Sequence, residues 1–144
     1  RLKEQKKDLK IIAFTIANFN NNELLIQSDI FKEWYDRHKD WVEIAVHSYD
    51  HTYPPDGDRE NEAYWIEKAL TSLRPFLPES YGYRSPGWQT TNLTVLILND
   101  LGFSYIYYED VVSDLKNKRL VKGPVINSHL YDMESIKRIE RMLI

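Results

Sequence analysis

Cysteine is absent from the 144 residues of this chain. The fold therefore uses no disulfide, and a metal site would have to be built from histidine, aspartate and glutamate. A concentrated basic stretch is also absent, because the net charge is −3 and both signs are spread along the chain. This distribution argues against a nucleic-acid-binding protein, which needs a basic face.

Long apolar runs are missing too, so the sequence predicts no membrane span, and no signal peptide is visible. With 42% hydrophobic and 28% charged residues, the composition is that of a globular protein, and the length predicts one domain over residues 1–144. The composition leaves the oligomeric state and the cellular compartment open. The chain begins at Arg1, and residues 1–9 are typical of the end of a polar helix, so we expect that an N-terminal part is missing.

Strand and helix patterns alternate along the chain. Short β-branched and aromatic runs predict strands, and apolar residues three or four apart predict helices. The predicted strands cover 11–17, 41–46, 81–85, 103–108 and 121–128. The predicted helices cover 28–38, 58–73, 91–101 and 133–143, and the first three can be capped by Ser28, Asp58 and Thr91. Residues 110–118 are predicted as a short helix or a loop. This alternation favours an α/β fold with a parallel sheet or barrel of βα units.

Three polar residues fall just at the ends of predicted strands, namely His47, Arg84 and His129. In parallel βα folds, active sites gather at the carboxyl ends of the strands. The sequence therefore predicts that these side chains share one rim.

His47 and His51 are four residues apart across a strand end. Two neutral imidazoles at this spacing can bind one ion, and without thiolates the ligand types suit zinc, cobalt, nickel, iron or manganese. The alternative is a pair of ordinary polar loop residues, because this spacing is frequent by chance. Asp50, between them, is a further but weaker carboxylate candidate.

The stretch Arg84-Ser85-Pro86-Gly87-Trp88 is the other unusual segment. Pro86 and Gly87 predict a turn that would present Arg84 and Trp88 at the rim, where arginine can orient a carboxylate and tryptophan can stack on a sugar. The alternative is a structural arginine ion pair with Trp88 in the core. His129 also has a functional and a structural interpretation. It is either a general acid or base, or a hydrogen-bonded surface histidine.

Together these segments resemble the polysaccharide deacetylase family, also called the NodB-homology or carbohydrate esterase family 4 domain. His47-Ser48-Tyr49-Asp50-His51 is similar to its H-[S/T]-x-x-H metal motif, and Arg84-Ser85-Pro86 resembles its R-x-P motif. Ile126-Asn127-Ser128-His129 resembles its L-x-x-H motif, and Leu101-Gly102-Phe103 is also family-like. The motifs occur in the family's order, and the resemblance covers about residues 10–131.

The resemblance implies a deformed (β/α) barrel that here lacks its first strand, and hydrolysis of acetyl groups on the sugars of a polysaccharide. It implies that His47 and His51 bind Zn²⁺, or Co²⁺, Ni²⁺ or Mn²⁺. Arg84 would orient the catalytic base, and His129 would protonate the leaving amine. Asp110 is the expected carboxylate partner of that acid, with Asp114 as the second choice. We expect substrate contacts from four residues around the motifs: Tyr49, Pro86, Gly87 and Trp88.

The family's first motif, an aspartate pair that supplies a base and a metal ligand, has no counterpart in the sequence. Its expected place is before Arg1. Two other hypotheses therefore stand beside the deacetylase. One is a catalytically inactive, carbohydrate-binding relative of the same fold, and the other is a metal-dependent amidohydrolase that acts on a non-sugar amide.

Overall fold

The computed structural model describes residues 10–18, 27–52 and 58–122. Six strands and three α-helices make up this part of the chain. The strands are β1 (Ile11–Thr15), β2 (Val42–Val46), β3 (Gly82–Tyr83), β4 (Tyr105–Tyr107), β5 (Val111–Asp114) and β6 (Arg119–Lys122). The helices are α1 (Asp29–His38), α2 (Arg59–Leu73) and α3 (Asn92–Asp100), with short 3-10 turns at Arg74–Phe76 and Pro86–Trp88.

All six strands belong to one sheet, in the order β1-β2-β3-β4-β5-β6. The first four strands are parallel, as predicted, whereas β5 and β6 are antiparallel to their neighbours. The prediction of a helix or loop over 110–118 is therefore wrong at Val111–Asp114, where paired β-branched residues favour a strand. The described residues thus form an α/β fold whose sheet contains parallel and antiparallel strands. Closure of this sheet into a barrel stays a prediction.

The last predicted strand begins earlier than expected, at Arg119 rather than residue 121. Its continuation to residue 128 lies outside the described residues. The predicted helix over 133–143 and the predicted polar helix end at residues 1–9 lie outside them as well.

Each α-helix begins at the N-cap that the sequence predicts. The Ser28 hydroxyl accepts a hydrogen bond from the Phe31 amide at 3.3 Å, and the Asp58 carboxylate accepts one from the Asn61 amide at 3.0 Å. Thr91 caps α3 in the same way, through the Thr94 amide at 3.1 Å. A short polar side chain satisfies an amide that the helix itself leaves without a partner, and so the boundaries were readable from local sequence.

The helices pack on one face of the sheet. Val46, Tyr83 and Ile106 alternate to that face and belong to a buried cluster with residues of α2 and α3. A second cluster joins Ile44 to Phe31 and Tyr35 of α1. Because side chains alternate along strands, His47 and Arg84 fall on the opposite face. We call this opposite face the site face, and it carries Phe14, Glu43, His47, Arg84, Tyr105 and Tyr107.

Gly82 is required on the site face because an aromatic ring lies against its backbone. A Cβ atom built at Gly82 would stand 2.2 Å from Cε2 of Tyr107. The Tyr107 ring, which is 6% exposed, makes an edge contact with Phe14 of β1 at a centroid distance of 5.2 Å. Because Gly82 has no side chain, Tyr107 of β4 can reach Phe14 of β1.

We expect Gly82→Ala to destabilise the protein by about 3 kcal/mol, because the added methyl overlaps a ring held on a well-packed surface. Urea denaturation of the variant and the parent measures this difference. Tyr107→Leu is the paired change: in the double variant the cost of Gly82→Ala should shrink, since the overlapping ring is gone. Additive costs would contradict this account of Gly82.

Candidate functional site

The site begins where β2 and β3 end. The His47 amide donates to the Thr15 carbonyl at 2.9 Å, and the Arg84 amide donates to the Val46 carbonyl at 2.9 Å. Each bond extends the parallel pairing one residue beyond its strand. The predicted placement of these two residues at one rim is therefore confirmed, whereas His129 lies outside the described residues.

A hydrogen bond orients the His47 imidazole. Its Nδ1 lies 2.8 Å from the carbonyl oxygen of Arg84. A carbonyl oxygen can only accept, so Nδ1 carries the proton, and in the neutral ring Nε2 keeps its lone pair. Metal-binding histidines are commonly held in this manner by a partner on the second ring nitrogen.

His51 reaches the same place through a tight loop rather than a helical turn. Ser48 and His51 both adopt left-handed backbone, with φ of 66° and 67°. The His51 amide donates to the Ser48 hydroxyl at 2.8 Å, which closes the loop. The two imidazole rings then lie 4.9 Å apart between centroids, at 71° to each other. Left-handed backbone costs roughly 1–2 kcal/mol per residue, so this arrangement requires support from its surroundings.

Two of the three residues between the histidines, Tyr49 and Asp50, are engaged elsewhere. Tyr49 is 8% exposed, and its ring lies 5.4 Å from that of Trp65, with the Lys68 ammonium 4.4 Å from its centroid. This placement suits an anchor of the loop, and it lends no support to the predicted substrate contact of Tyr49. The Asp50 carboxylate accepts from the amide and hydroxyl of Thr52, at 3.0 and 2.6 Å.

The Arg84 guanidinium lies close to two aromatic rings. Its Cζ is 4.5 Å from the centroid of Phe14 and 3.1 Å from that of Trp88. Burial lowers the pKa of Arg84 to about 10, and the negative charge of Glu109 partly offsets that effect. The side chain stays cationic at neutral pH. All of its hydrogen-bond donors are N–H groups that lie in the guanidinium plane.

Trp88 is held at the rim by an unusual turn. Gly87 and Trp88 have φ of 54° and 65°, so two consecutive residues adopt left-handed backbone. Pro86 is buried, whereas Trp88 is 40% exposed. The prediction that the turn presents Trp88 at the rim is therefore confirmed, and the alternative of a core tryptophan is not.

Glu109 is the residue that the sequence analysis missed. It follows β4, in a turn closed by a bond from the Tyr108 amide to the Val111 carbonyl at 2.9 Å. The negative charge that acts on Arg84 is that of Glu109, and Glu109 and Asp110 are both exposed on this turn. The expected pairing of Asp110 with His129 stays a prediction, because His129 lies outside the described residues. Asp114 is engaged by its own hairpin, through Asn117 and Arg119, which hold the pKa of its carboxyl below the usual range. The sequence did contain a signal for it, because Glu109 and Asp110 are two adjacent acids that directly follow the predicted strand over 103–108.

Two imidazoles fit a divalent cation only in part. Over the described ranges, no group of three histidine, aspartate or glutamate side chains is arranged to hold a metal ion. His47 and His51 would supply two ligands, and the predicted metal site stays a prediction. None of the helices in these same ranges is long and apolar enough to cross a membrane.

Comparison with known proteins supports the fold. No protein-family model matches the chain. No curated protein matches it either. Among solved structures, the chain is similar to the crystal structure of a CE4 family pseudoenzyme from Bacillus anthracis, with a TM-score of 0.56 and 16% sequence identity. The match covers 71% of this chain and 34% of that chain, so this chain spans about a third of that protein's length. The likeness supports a fold of the carbohydrate esterase family 4 (CE4) type, and at this identity it carries no activity with it.

We expect Glu109→Gln to lower the melting temperature by about 2 °C at low salt, because it removes the charge that faces Arg84. Asp110→Asn is the matched control, one residue away on the same turn and with the same change in net charge. Thermal denaturation at low salt and at high salt should show a difference between the variants that vanishes as salt screens the pair. Equal melting temperatures at low salt would assign no particular role to Glu109.

Proposed function

We propose that this chain belongs to a metal-dependent hydrolase that removes acetyl groups from N-acetylated or O-acetylated sugars of a polysaccharide. The observation that carries the proposal is the bond from His47 Nδ1 to the Arg84 carbonyl, with the His51 ring beside it. This bond makes Nδ1 the protonated nitrogen of the neutral ring, so Nε2 is the nitrogen that carries the lone pair a metal ligand needs. The CE4-type fold is consistent with such a site.

His47 and His51 would hold the cation, which we expect to be Zn²⁺, Co²⁺, Ni²⁺ or Mn²⁺. The chemistry that such an ion supplies when bound is polarisation of an acyl carbonyl and acidification of water. The in-plane N–H groups of Arg84 would orient a carboxylate base. The exposed part of Trp88 offers an aromatic surface for a sugar ring. His129, outside the described residues, is the proposed acid for the leaving amine.

A non-catalytic carbohydrate-binding protein is the second candidate. Two observations favour it: the described residues supply only two ligands, and the similar solved structure is described as a pseudoenzyme. Under this proposal the Arg84–Trp88 turn binds the sugar and no acetate is released. A metal-dependent amidohydrolase on a non-sugar amide is the third, and it would use the same donors.

We expect His47→Ala and His51→Ala each to lower the affinity for Zn²⁺ or Co²⁺ at least about tenfold, because each removes a ligand. Elemental analysis after dialysis, with the visible spectrum of the Co²⁺ form, measures binding. His38→Ala is the matched control, since His38 stacks on Trp34 at the end of α1. Metal retained in full by the double variant at positions 47 and 51 would remove the site from consideration.

The reaction is tested by acetate release from acetylated oligosaccharides. We expect release that a chelator abolishes and that added Zn²⁺ or Co²⁺ restores. Saccharide binding without acetate release, weakened by Trp88→Ala, would instead identify the non-catalytic relative. Release of product from non-sugar amides alone would identify the amidohydrolase.

A further inference from the structure

A carboxyl group is buried where α2 meets α3. Glu62, in the first turns of α2, is 6% exposed, although Glu60 and Glu67 of the same helix are exposed. Its Oε1 accepts a hydrogen bond from the Thr94 hydroxyl of α3 at 2.6 Å. Glutamate is almost never fully buried unless it is paired, so this bond explains how the carboxyl is tolerated between the two helices.

The Thr94 hydroxyl also binds Thr91, the residue that caps α3. Its single proton goes to Glu62, so in the 3.0 Å contact between the Thr91 and Thr94 hydroxyls Thr91 is the donor. The Thr91 amide also donates to the Thr94 hydroxyl at 3.1 Å. The amide and the hydroxyl of Thr91 therefore both bind the Thr94 hydroxyl oxygen, which Glu62 holds in place.

Thr90, the residue before Thr91, is hydrogen-bonded to Ser85 of the Arg84–Trp88 turn. Its hydroxyl lies 2.8 Å from that of Ser85, which is 3% exposed. The Trp88 amide donates to the Ser85 carbonyl at 3.2 Å, and the Thr90 amide donates to the Trp88 carbonyl at 3.0 Å. Hydrogen bonds thus connect both flanks of Trp88 with Thr90, and the peptide bond joins Thr90 directly to Thr91 of the Thr91–Thr94 pair.

We propose that Glu62 is a positioning residue for the turn that carries Arg84 and Trp88, acting through Thr94 and Thr91. Its role is to hold Trp88 in its left-handed conformation against the Arg84 guanidinium. The consequence for a sugar ligand rests on the proposed function, whereas the effect on the pose of Trp88 does not. A merely structural Glu62 would join α2 to α3 and leave Trp88 undisturbed.

The pose of Trp88 is measured by ¹⁹F NMR of protein that contains 5-fluorotryptophan, with Trp88→Phe to assign its resonance among the four tryptophans. Glu62→Ala should shift or broaden the Trp88 resonance and leave that of Trp34, on α1, in place. Glu62→Gln should restore the parent spectrum, because its amide oxygen still accepts from Thr94. Glu67→Ala is the matched control on the same helix.

An unchanged Trp88 resonance in Glu62→Ala, together with a lower stability to urea, would overturn the proposal and leave Glu62 as a link between helices. Should Glu62→Ala not fold, Thr94→Val decides, because it removes the donor with little change in volume. A shift of Trp88 in Thr94→Val supports the proposal, and the parent spectrum in Thr94→Val contradicts it. Thr94→Ser, which keeps the hydroxyl, serves as its folded reference.

Kinetics separate this inference from the proposed function. If the protein deacetylates sugars, Glu62→Ala should raise KM roughly five- to tenfold and change kcat little, since binding to a displaced Trp88 is weakened in ground and transition states alike. Should the parent protein recognise no carbohydrate, the proposed function fails while the NMR result still decides the role of Glu62. If Glu62→Ala shifts the Trp88 resonance but leaves KM unchanged, the result would contradict an effect of Glu62 on ligand binding.

Discussion

One hydrogen bond, from the His47 imidazole to the Arg84 carbonyl, joins the two strand ends on which the candidate site is built. It crosses from β2 to β3 and therefore exists only in the register that pairs Val46 with Tyr83. Through it, one backbone oxygen sets the tautomer of an imidazole 37 residues away. The direction in which the site can bind a ligand thus depends on the parallel pairing of the sheet.

A line of ring contacts on the site face supports the same two strand ends. The bare backbone of Gly82 admits the ring of Tyr107, which reaches Phe14. Phe14 in turn lies against the Arg84 guanidinium, which also contacts Trp88. The exposed tryptophan at the rim is therefore linked, contact by contact, to a glycine within the sheet. Such packing tolerates little change in volume, because interiors are filled almost to crystal density.

The CE4-type fold and the chemistry of the site are separate matters. A similar structure belongs to a pseudoenzyme, so the fold by itself does not imply hydrolysis. What the site can do depends on individual side chains: two neighbouring imidazoles, a stacked arginine and the acid that faces it. The likeness concerns the fold alone, while the side chains of the site govern whether water can be activated.

Local chemistry could be read from the sequence. The helix caps at Ser28, Asp58 and Thr91 and the rim positions of His47 and Arg84 follow from patterns within a few residues, and they were predicted correctly.

Other features depend on residues brought together from distant parts of the chain. The antiparallel pairing of β4 with β5, the approach of Glu109 to Arg84, and the burial of Glu62 beside Thr94 are of this kind. No periodicity encodes them, because each is decided by how strands and helices pack. The sequence by itself determined which residues stand at strand ends, and only the tertiary structure decided which of them face one another.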